Sequence, residues 1–255
     1  MTRVITLLTD FGTADGYVGE MKGLLAASAP DCVLVDIAHD VPVHDVEAGR
    51  LAVARYWHRF PVGTVHVVVV DPGVGSARAA LGVASEGRML VGPDNGILSP
   101  ALLHQGAQCV ALRVHPSVAP TFHGRDVFAP AAAQLAQGTL LDALGDPWSN
   151  PIIRRTPEAT RAEDGSTHGV IITVDRFGNL VTNLATRRAV SVEIAGRRMT
   201  LARTYGDVGV GELVALIGSS GLVEIAVRDG SAAALLGVAR GEAVVMRDGG
   251  RTGDG

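Results

Sequence analysis

The chain has 255 residues, of which 47% are hydrophobic and 19% are charged, so it is long enough for one large or two modest domains and too apolar for a disordered protein. Its formal net charge of −4 gives no electrostatic reason to expect nucleic acid or an anionic membrane as a partner. The cysteines Cys32 and Cys109 lack CxxC spacing, which indicates neither a disulfide framework nor a zinc site.

The first elements follow the order strand, helix, strand. Residues 4–9 form a short apolar run that ends at Asp10, which places a carboxylate at the tip of a strand. Residues 17–27 have apolar side chains at helical spacing, and residues 32–37 return to a strand pattern. The opening run is too short for a signal peptide and no stretch is long enough to span a membrane, so we expect a cytoplasmic protein.

The loop that follows contains two histidines and three acidic residues. His39 and His44, with Asp40, Asp45 and Glu47, are residue types that bind metals. However, the loop has no HxxxH or HxH spacing and no cysteine partner, and such loops usually form the solvated start of a helix. We therefore expect no metal site.

The central strand is predicted at residues 65–70. Four consecutive valines, residues 67–70, suit a strand that is covered on both faces by helices. Asp71 and the Pro-Gly pair after it end the strand, so Asp71 should lie at the carboxyl edge of the sheet, where open α/β sheets bind ligands. The following glycines match neither a dinucleotide fingerprint nor a phosphate-binding P-loop. The glycines therefore make room for a tight turn that displays Asp71, Ser76 and Arg78. These side chains either form a functional site or belong to an ordinary loop with an Asp71–Arg78 surface pair.

Short strands are predicted at residues 80–84, 89–91 and 108–114, with a turn at residues 92–96. His123 stands beside Arg125 and Asp126 at the start of an alanine-rich helix, and histidine is the side chain best suited to proton transfer near neutral pH. The segment 142–161 is rich in proline and charge. We therefore predict an α/β domain with a central, mostly parallel sheet at residues 1–150.

The second domain, predicted at residues 165–250, is all β. Its seven short strands, separated by glycine-rich turns, are predicted at residues 169–174, 180–183, 191–195, 199–202, 213–217, 222–227 and 243–246. Such spacing suits a small barrel or a sandwich. The turn 175–179 combines an aromatic ring with carboxylate and amide groups, which could hold a flat heterocycle or form an ordinary hairpin turn, and the turn 218–221 is equally ambiguous.

Six motifs in chain order resemble one enzyme family. They are TDFGTADGYVGEMKG, VDPGVGSAR, GPDNGILSP, TFHGRDVFAP, VDRFGNLVTN and GSSGLVEIAV. The chain thus resembles the S-adenosylmethionine (SAM) hydroxide adenosyltransferases, which are adenosine-forming SAM hydrolases related to the SAM-dependent fluorinase and chlorinase. The resemblance implies an α/β domain followed by a barrel-like domain, and a homotrimer that binds SAM between one subunit's N-terminal domain and its neighbour's C-terminal domain.

The resemblance also implies site residues. The family's catalytic triad falls on Asp71, Arg78 and His123, and Asp71 also counts among the substrate contacts. Its ribose-binding carboxylate falls on Asp10. The adenine and methionine contacts fall on Asp175, Phe177, Asn179, Ser219, Glu224 and Val227. SAM is a substrate in this family, so no cofactor is expected.

Three activities are compatible with such a pocket. Hydrolysis is favoured because the halogenases replace the triad aspartate, which is present here as Asp71, and because the short stretch between Arg78 and Gly92 has no room for their extra loop. A SAM-dependent halogenase and a SAM or adenosine sensor without catalysis are the alternatives. Which of His123 and Arg78 activates the water stays open at this stage.

Overall fold

A computed structural model describes residues 3–188 and 190–248. The chain divides into two compact units, Met1–Arg155 and Thr156–Gly255. The N-terminal unit is α/β, as the strand and helix pattern predicts, and the C-terminal unit is a barrel, as the family resemblance predicts. No described helix has the length and apolar character that a bilayer crossing requires.

The N-terminal unit alternates strands and helices before it ends in a series of shorter elements. Its strands are β1 (Arg3–Thr9), β2 (Cys32–Ala38), β3 (Val65–Val69), β4 (Ala80–Ser85), β5 (Arg88–Pro93), β6 (Gln108–Leu112) and β7 (Gly145–Pro147). Its α-helices are α1 (Tyr17–Ser28), α2 (Val46–Tyr56), α3 (Ser99–Leu102), α4 (Ala129–Ala136) and α5 (Leu141–Leu144). A 3₁₀ turn at Trp57–Arg59 extends α2, and a π-helical turn at Gly124–Phe128 leads into α4.

These strands form one sheet in the order β2-β1-β3-β5-β4-β6-β7. The pairings among β2, β1, β3 and β5 are parallel, and β4 runs antiparallel to both β5 and β6. With β7 antiparallel to β6, five of the seven described strands point the same way. The predicted mostly parallel sheet is therefore confirmed, with antiparallel pairings confined to the β4, β6 and β7 side.

The valine run lies at the centre of this sheet and is buried on both faces. Val67 and Val69 pack in the cluster that contains α1 and α4, whereas Val68 and Val70 pack with α2 and α3. A strand whose alternate side chains face two helix layers must be apolar at every position. Each fully buried valine contributes roughly 1.5–3 kcal/mol by leaving water.

The chain order creates a crevice between β1 and β3. From β1, helix α1 leads to β2 on one side, and α2 then returns the chain to β3 on the other side of β1. The strand order therefore reverses between β1 and β3, which is the position where open α/β sheets bind ligands beyond the carboxyl ends of their strands. Asp10 and Asp71 follow these two strands.

The C-terminal unit is built from short strands with one short helix, α6 (Ala232–Leu236). Its strands are β8 (Thr160–Arg161), β9 (Thr167–Val174), β10 (Leu180–Thr182), β11 (Val190–Ile194), β12 (Arg197–Ala202), β13 (Leu213–Ile217), β14 (Val223–Val227) and β15 (Ala243–Asp248). The ring runs β9-β10-β14-β13-β12-β11-β15 and closes on β9, with β8 added outside it. The unit is thus a closed barrel rather than a sandwich, because β10 pairs with both β9 and β14.

Candidate active site

The two carboxylates that follow β1 and β3 lie at neighbouring strand ends. Thr9 and Val69 are register partners in the parallel β1–β3 pair, so Asp10 and Asp71 leave the sheet at the same edge. Val70, the one residue between Val69 and Asp71, stays in the core and is fully buried. The two strand ends at which the sequence analysis placed Asp10 and Asp71 therefore lie side by side.

Asp71 forms a two-pronged ion pair with Arg78. The Arg78 Nε donates to Asp71 Oδ1 at 3.0 Å, and Nη2 donates to Asp71 Oδ2. The Asp71 side chain is only 4% exposed and that of Arg78 11% exposed, so the pair is shielded from solvent. Phe128 packs against the guanidinium with its ring centroid 5.5 Å from Cζ. This geometry differs from the exposed surface pair that the sequence left open.

His123 joins the same network. Its Nδ1 lies 2.9 Å from Arg78 Nη2, and because a guanidinium can only donate, Nδ1 must accept. The neutral ring then carries its proton on Nε2, which leaves an N–H donor on the side away from Arg78. Burial, followed by the charge of Arg78, lowers the pKa of His123 despite the opposing charges of Asp71 and Asp126, so the neutral form is favoured.

The turn between Asp71 and Arg78 folds on itself. The Ser76 hydroxyl donates to the Gly73 carbonyl at 2.6 Å, and the Ser76 Oγ accepts from the Arg78 N–H at 3.3 Å. Gly75 has a φ of +76°, and a Cβ there would lie 2.7 Å from the carbonyl oxygen of Pro120. Glycine therefore lets the turn approach the segment that delivers His123.

The turn at residues 92–96, which the sequence analysis treated as a simple turn, supports Asp71. The Asn95 Nδ2 donates to the Val70 carbonyl at 2.8 Å, and its Oδ1 accepts from the Ile97 N–H at 3.1 Å. Asp94 accepts from Trp148 Nε1 at 3.0 Å and from the Ile152 N–H at 2.7 Å. Asn95 thereby satisfies the last carbonyl before Asp71, a role that only tertiary structure reveals.

An aromatic cluster flanks His123. The rings of Phe11, Tyr17 and Phe122 pack edge to face with centroid separations of 5.3–6.2 Å. A Cβ on Gly124 would approach the Phe11 ring to 3.1 Å, so the small residue next to His123 allows this packing. Arg125 stacks on Phe122 with Cζ 4.8 Å from the ring centroid. The cluster thus lies beside both the Asp10 loop and His123.

Asp10 is held by the loop after β2. Its Oδ2 accepts a hydrogen bond from the His44 N–H at 2.8 Å. In the same loop, His39 contacts Thr9 and Asp36, while Asp45 caps α2 by accepting from the Ala48 N–H at 3.0 Å. No group of three or more His, Cys, Asp or Glu residues arranged for a metal occurs in the described residues. The absence of a metal from the reaction stays a prediction.

The barrel turn between β9 and β10 is organised by Asp175. Its Oδ1 accepts from the N–H groups of Phe177 and Asn179, each at 2.9 Å, and its Oδ2 accepts from Asn179 Nδ2 at 3.0 Å. Gly178 has a φ of +81° and lies against Ser231. Asn179 is buried, whereas the Phe177 side chain is 75% exposed and free to stack on a flat ligand. The sequence left open whether this segment is an ordinary hairpin turn or a ligand-binding turn, and the same turn can be both.

The remaining predicted contacts lie around the β13–β14 turn and on β14. Ser219 is exposed in that turn, and Glu224 folds over Gly218, where any Cβ would overlap its carboxylate. Val227 is buried in the barrel core. Tyr205, which the sequence analysis missed, lies within electrostatic reach of Glu224 and Asp175. Burial, followed by these two charges, raises the Tyr205 pKa.

The structure therefore assembles the predicted residues into two groups. In the N-terminal unit, Asp71, Arg78 and His123 are in contact, with Asp10 at the adjacent strand end. In the C-terminal unit, one turn contains Asp175, Phe177 and Asn179, and a second turn contains Ser219 with Glu224 nearby. The roles of these residues in binding and catalysis stay predictions.

Family models match both units. The model of the SAM hydroxide adenosyltransferase N-terminal domain matches residues 5–145, and that of the C-terminal domain matches residues 169–245. An (R)-S-adenosyl-L-methionine hydrolase from Thermus thermophilus is 42% identical, over 94% of this chain and 97% of that protein. One of the same name from Salinispora arenicola is 40% identical, over 94% of this chain and 96% of the relative.

A fluorinase is a more distant relative in sequence, and a solved structure shares the fold. A fluorinase from Actinopolyspora mzabensis is 26% identical over 88% of this chain and 90% of its own length. A crystal structure of an uncharacterized conserved protein from Thermotoga maritima superposes with a TM-score of 0.87 at 31% identity, covering 95% of this chain and 99% of that one. The chain is therefore more similar in sequence to the Thermus thermophilus protein named as a hydrolase, at 42% identity, than to this fluorinase, at 26%.

Proposed function

Because this chain belongs to the SAM hydroxide adenosyltransferase family, we propose that it is an enzyme that hydrolyses SAM to adenosine and L-methionine. A water oxygen forms a bond to C5′ while the C5′–S bond breaks. The electron pair of the C5′–S bond moves to sulfur, which becomes the thioether of methionine. One proton is released. The observation that carries the proposal is the shielded Asp71–Arg78–His123 network at the reversal point of the sheet.

The sulfonium of SAM is already a good leaving group, so the enzyme chiefly has to place an oxygen nucleophile behind the C–S bond. Alignment of two reactants can supply roughly 7–11 kcal/mol of the barrier. The proposed route uses no metal and no cofactor, and EDTA should leave the activity unchanged.

Arg78 and His123 are the proposed donors to the attacking oxygen. Arg78 uses Nε and both Nη2 hydrogens on Asp71 and His123, and Nη1 donates to the Ala79 carbonyl at 3.3 Å. After these bonds, one Nη1 hydrogen and the Nε2–H of His123 remain for a ligand. Two such donors, one of them cationic, stabilise hydroxide-like character on the water.

Asp71 acts as an orienting group in this proposal, not as the base. Both of its oxygens accept from Arg78, so a proton on either would disrupt the ion pair. His123 cannot take a proton on Nδ1 without losing the Arg78 bond. The proton of the water therefore leaves for solvent as the hydroxide-like oxygen attacks.

Water is favoured over halide by two features. The Asp71 carboxylate repels a halide, which enters the pocket already charged, but not a water, which enters neutral and gains negative charge only beside Arg78 and His123. A halide site needs neutral donors in a dry cavity. In addition, β4 and β5 are joined directly by Glu86 and Gly87, both with positive φ, which is a tight two-residue hairpin with no inserted loop.

SAM binding would use residues of both units. Asp10 would accept from ribose hydroxyls, and Phe177 would stack on adenine near Asp175 and Asn179, with Ser219, Glu224 and Val227 as further contacts. We propose a homotrimer in which each site combines one subunit's N-terminal unit with its neighbour's C-terminal unit. The family resemblance supports this arrangement.

Mixed oligomers test the shared site. Asp71→Asn and Phe177→Ala proteins, each defective at low SAM concentration, should regain activity when refolded together, because some sites then contain an intact half from each. Sedimentation of the wild-type protein should give a trimer. A fully active monomer would refute the shared-site arrangement.

The reaction itself is tested with oxygen-18 water. Mass spectrometry should find the label in the 5′-oxygen of adenosine, and added chloride should neither produce 5′-chloro-5′-deoxyadenosine nor accelerate SAM consumption. The chlorinated nucleoside as main product would establish a halogenase instead. Binding of SAM without any product would favour the sensor.

A further inference from the structure

A series of polar contacts runs from Asp36 through His39 to Thr9, the residue that precedes Asp10. His39 is only 7% exposed, and its Nδ1 lies 2.8 Å from the hydroxyl of Thr9, which is fully buried. The other ring nitrogen, Nε2, lies 3.1 Å from Asp36 Oδ1. This contact is angled away from a regular hydrogen bond, but it keeps Nε2 facing the carboxylate.

The donors and acceptors of this series can be assigned in one direction. A carboxylate only accepts, so His39 Nε2 carries the hydrogen that faces Asp36, and Lys22 Nζ donates to the other Asp36 oxygen at 2.9 Å. With the hydrogen on Nε2, Nδ1 can accept from the Thr9 hydroxyl at 2.8 Å. The Thr9 oxygen in turn accepts from the Phe11 N–H at 3.3 Å.

The backbone of the same loop holds the residues around Asp10 as well. The Gly12 N–H donates to the His39 carbonyl at 2.7 Å, and the His44 N–H donates to Asp10 Oδ2 at 2.8 Å. His44 adopts a φ of +64°, which is uncommon for a residue with a side chain. Asp10 is therefore fixed through the loop 39–44 on both sides of its position in the chain.

We propose that His39 is a positioning residue for ribose recognition, acting through Thr9 and the loop 39–44 to hold the Asp10 carboxylate toward the ribose hydroxyls. The inference rests on the proposed function, because Asp10 must be the ribose contact. His39 touches neither the Asp71–Arg78–His123 network nor, in this proposal, the substrate. Its loss should weaken binding of the nucleoside and leave the chemical step nearly intact.

The test compares His39→Leu, His39→Gln, Thr9→Val and Asp10→Ala proteins in steady-state hydrolysis. Asp10→Ala should raise KM for SAM about 10- to 100-fold, the range for a hydrogen bond to a charged group. His39→Leu and Thr9→Val should raise KM about 5- to 10-fold with kcat changed less than about threefold, since they loosen this bond without removing it. His39→Gln, which keeps a donor and an acceptor, should recover part of the loss.

A purely structural role would not discriminate between nucleosides. Calorimetry with adenosine and with its 2′-deoxy and 3′-deoxy analogues should show that His39→Leu weakens only the ligand with both ribose hydroxyls. The double variant that combines His39→Leu with Asp10→Ala should bind adenosine no more weakly than Asp10→Ala alone. His104→Leu, at a half-exposed histidine paired with Glu86, is the matched control and should leave KM unchanged.

The outcomes separate the two proposals. If Asp10→Ala raises KM while His39→Leu and Thr9→Val, both folded, behave as wild type, the positioning role of His39 is wrong and the proposed function stands. If His39→Leu weakens all three nucleosides equally, the role is structural and the inference also fails. If wild-type protein forms no adenosine from SAM, the proposed function fails, whereas hydroxyl-dependent loss of adenosine binding would still support His39.

Discussion

Aspartates at two turns, one in each unit, use their carboxylates differently. Asp71 at the end of β3 gives both oxygens to Arg78, a side chain seven positions away that also contacts His123, 45 positions further along. Asp175 in the β9–β10 turn gives its oxygens to Phe177 and Asn179, within its own turn. The first arrangement gathers charged groups from distant parts of the chain, whereas the second fixes a local backbone shape that presents an exposed ring. We infer that the first serves chemistry and the second serves binding.

The largest effect should come from Arg78→Lys. A lysine cannot hold both Asp71 oxygens and His123 Nδ1 at once, so the donor geometry is lost although the charge remains. We expect kcat to fall about 1,000-fold, or about 4 kcal/mol, with KM changed only a few-fold. Arg113→Lys, at the exposed Arg113–Asp146 pair, is the control and should change kcat less than about twofold. Near-normal kcat in Arg78→Lys would remove the network from the mechanism.

The corresponding change in the barrel is Asp175→Ala. It deletes the acceptor of three hydrogen bonds in one turn, and we expect the barrel to lose about 2–3 kcal/mol of unfolding free energy, with KM raised as the turn loosens. Urea unfolding and kinetics together measure both effects. The control Glu193→Ala, at an exposed pair with Arg198, should cost less than about 0.5 kcal/mol. Unchanged stability with a large rise in KM would mean that Asp175 contacts the substrate directly.

The two units should also differ in their response to acid. His66, fully buried on β3, has its pKa lowered to about 3 by burial and by the charge of Arg88, against an unfolded value of about 6.5. Below pH 6.5 the unfolded chain binds a proton that the folded one refuses, so stability falls as pH falls, until about pH 3. This slope is about 1.4 kcal/mol per pH unit, or about 2 kcal/mol between pH 7 and 5.

Urea unfolding between pH 5 and 7 measures this slope. His66→Gln should reduce the pH dependence of the unfolding free energy of the N-terminal unit below pH 6.5 by about 1.4 kcal/mol per pH unit, because the titrating group is gone. Equal slopes for wild type and His66→Gln would show that His66 is protonated in the folded protein or remains neutral in the unfolded chain.

The local patterns of the chain predicted its elements well. Apolar runs ended by Asp placed β1 and β3, and short runs separated by glycine-rich turns placed the seven strands of the barrel. The choice between barrel and sandwich could not be made, since closure depends on the pairing of β10 with both β9 and β14, which separate parts of the sequence supply. Non-local pairing leaves no periodic signal in a single segment.

Site residues that stand in recognisable motifs could be predicted from the sequence, whereas the contacts that hold them together could not. Asp71 could be placed at a strand end, but the arrival of His123 beside Arg78 depends on the folded path of the chain. The spacing of the loop that contains His39 argued against a metal site, but nothing in the sequence indicated that the partners of His39 are Thr9 and Asp36. Asn95 gave no signal beyond a turn residue, because its amide acts on a carbonyl of another strand.

The smallest effect, and the sharpest test of the barrel turn as a binding element, is expected for Phe177→Ala. The ring is 75% exposed, so its removal should hardly change the free energy of unfolding. Stacking of a base on an aromatic side chain is worth about 1–3 kcal/mol, so KM for SAM should rise about tenfold at unchanged kcat. Phe177→Tyr should retain most of the affinity because a phenol ring also stacks. Leu235→Ala, at another exposed apolar residue of the C-terminal unit in α6, is the matched control and should leave KM unchanged. If Phe177→Ala instead lowered kcat and left KM alone, the division of labour between the two turns would be wrong, because the barrel turn would then act in the transition state.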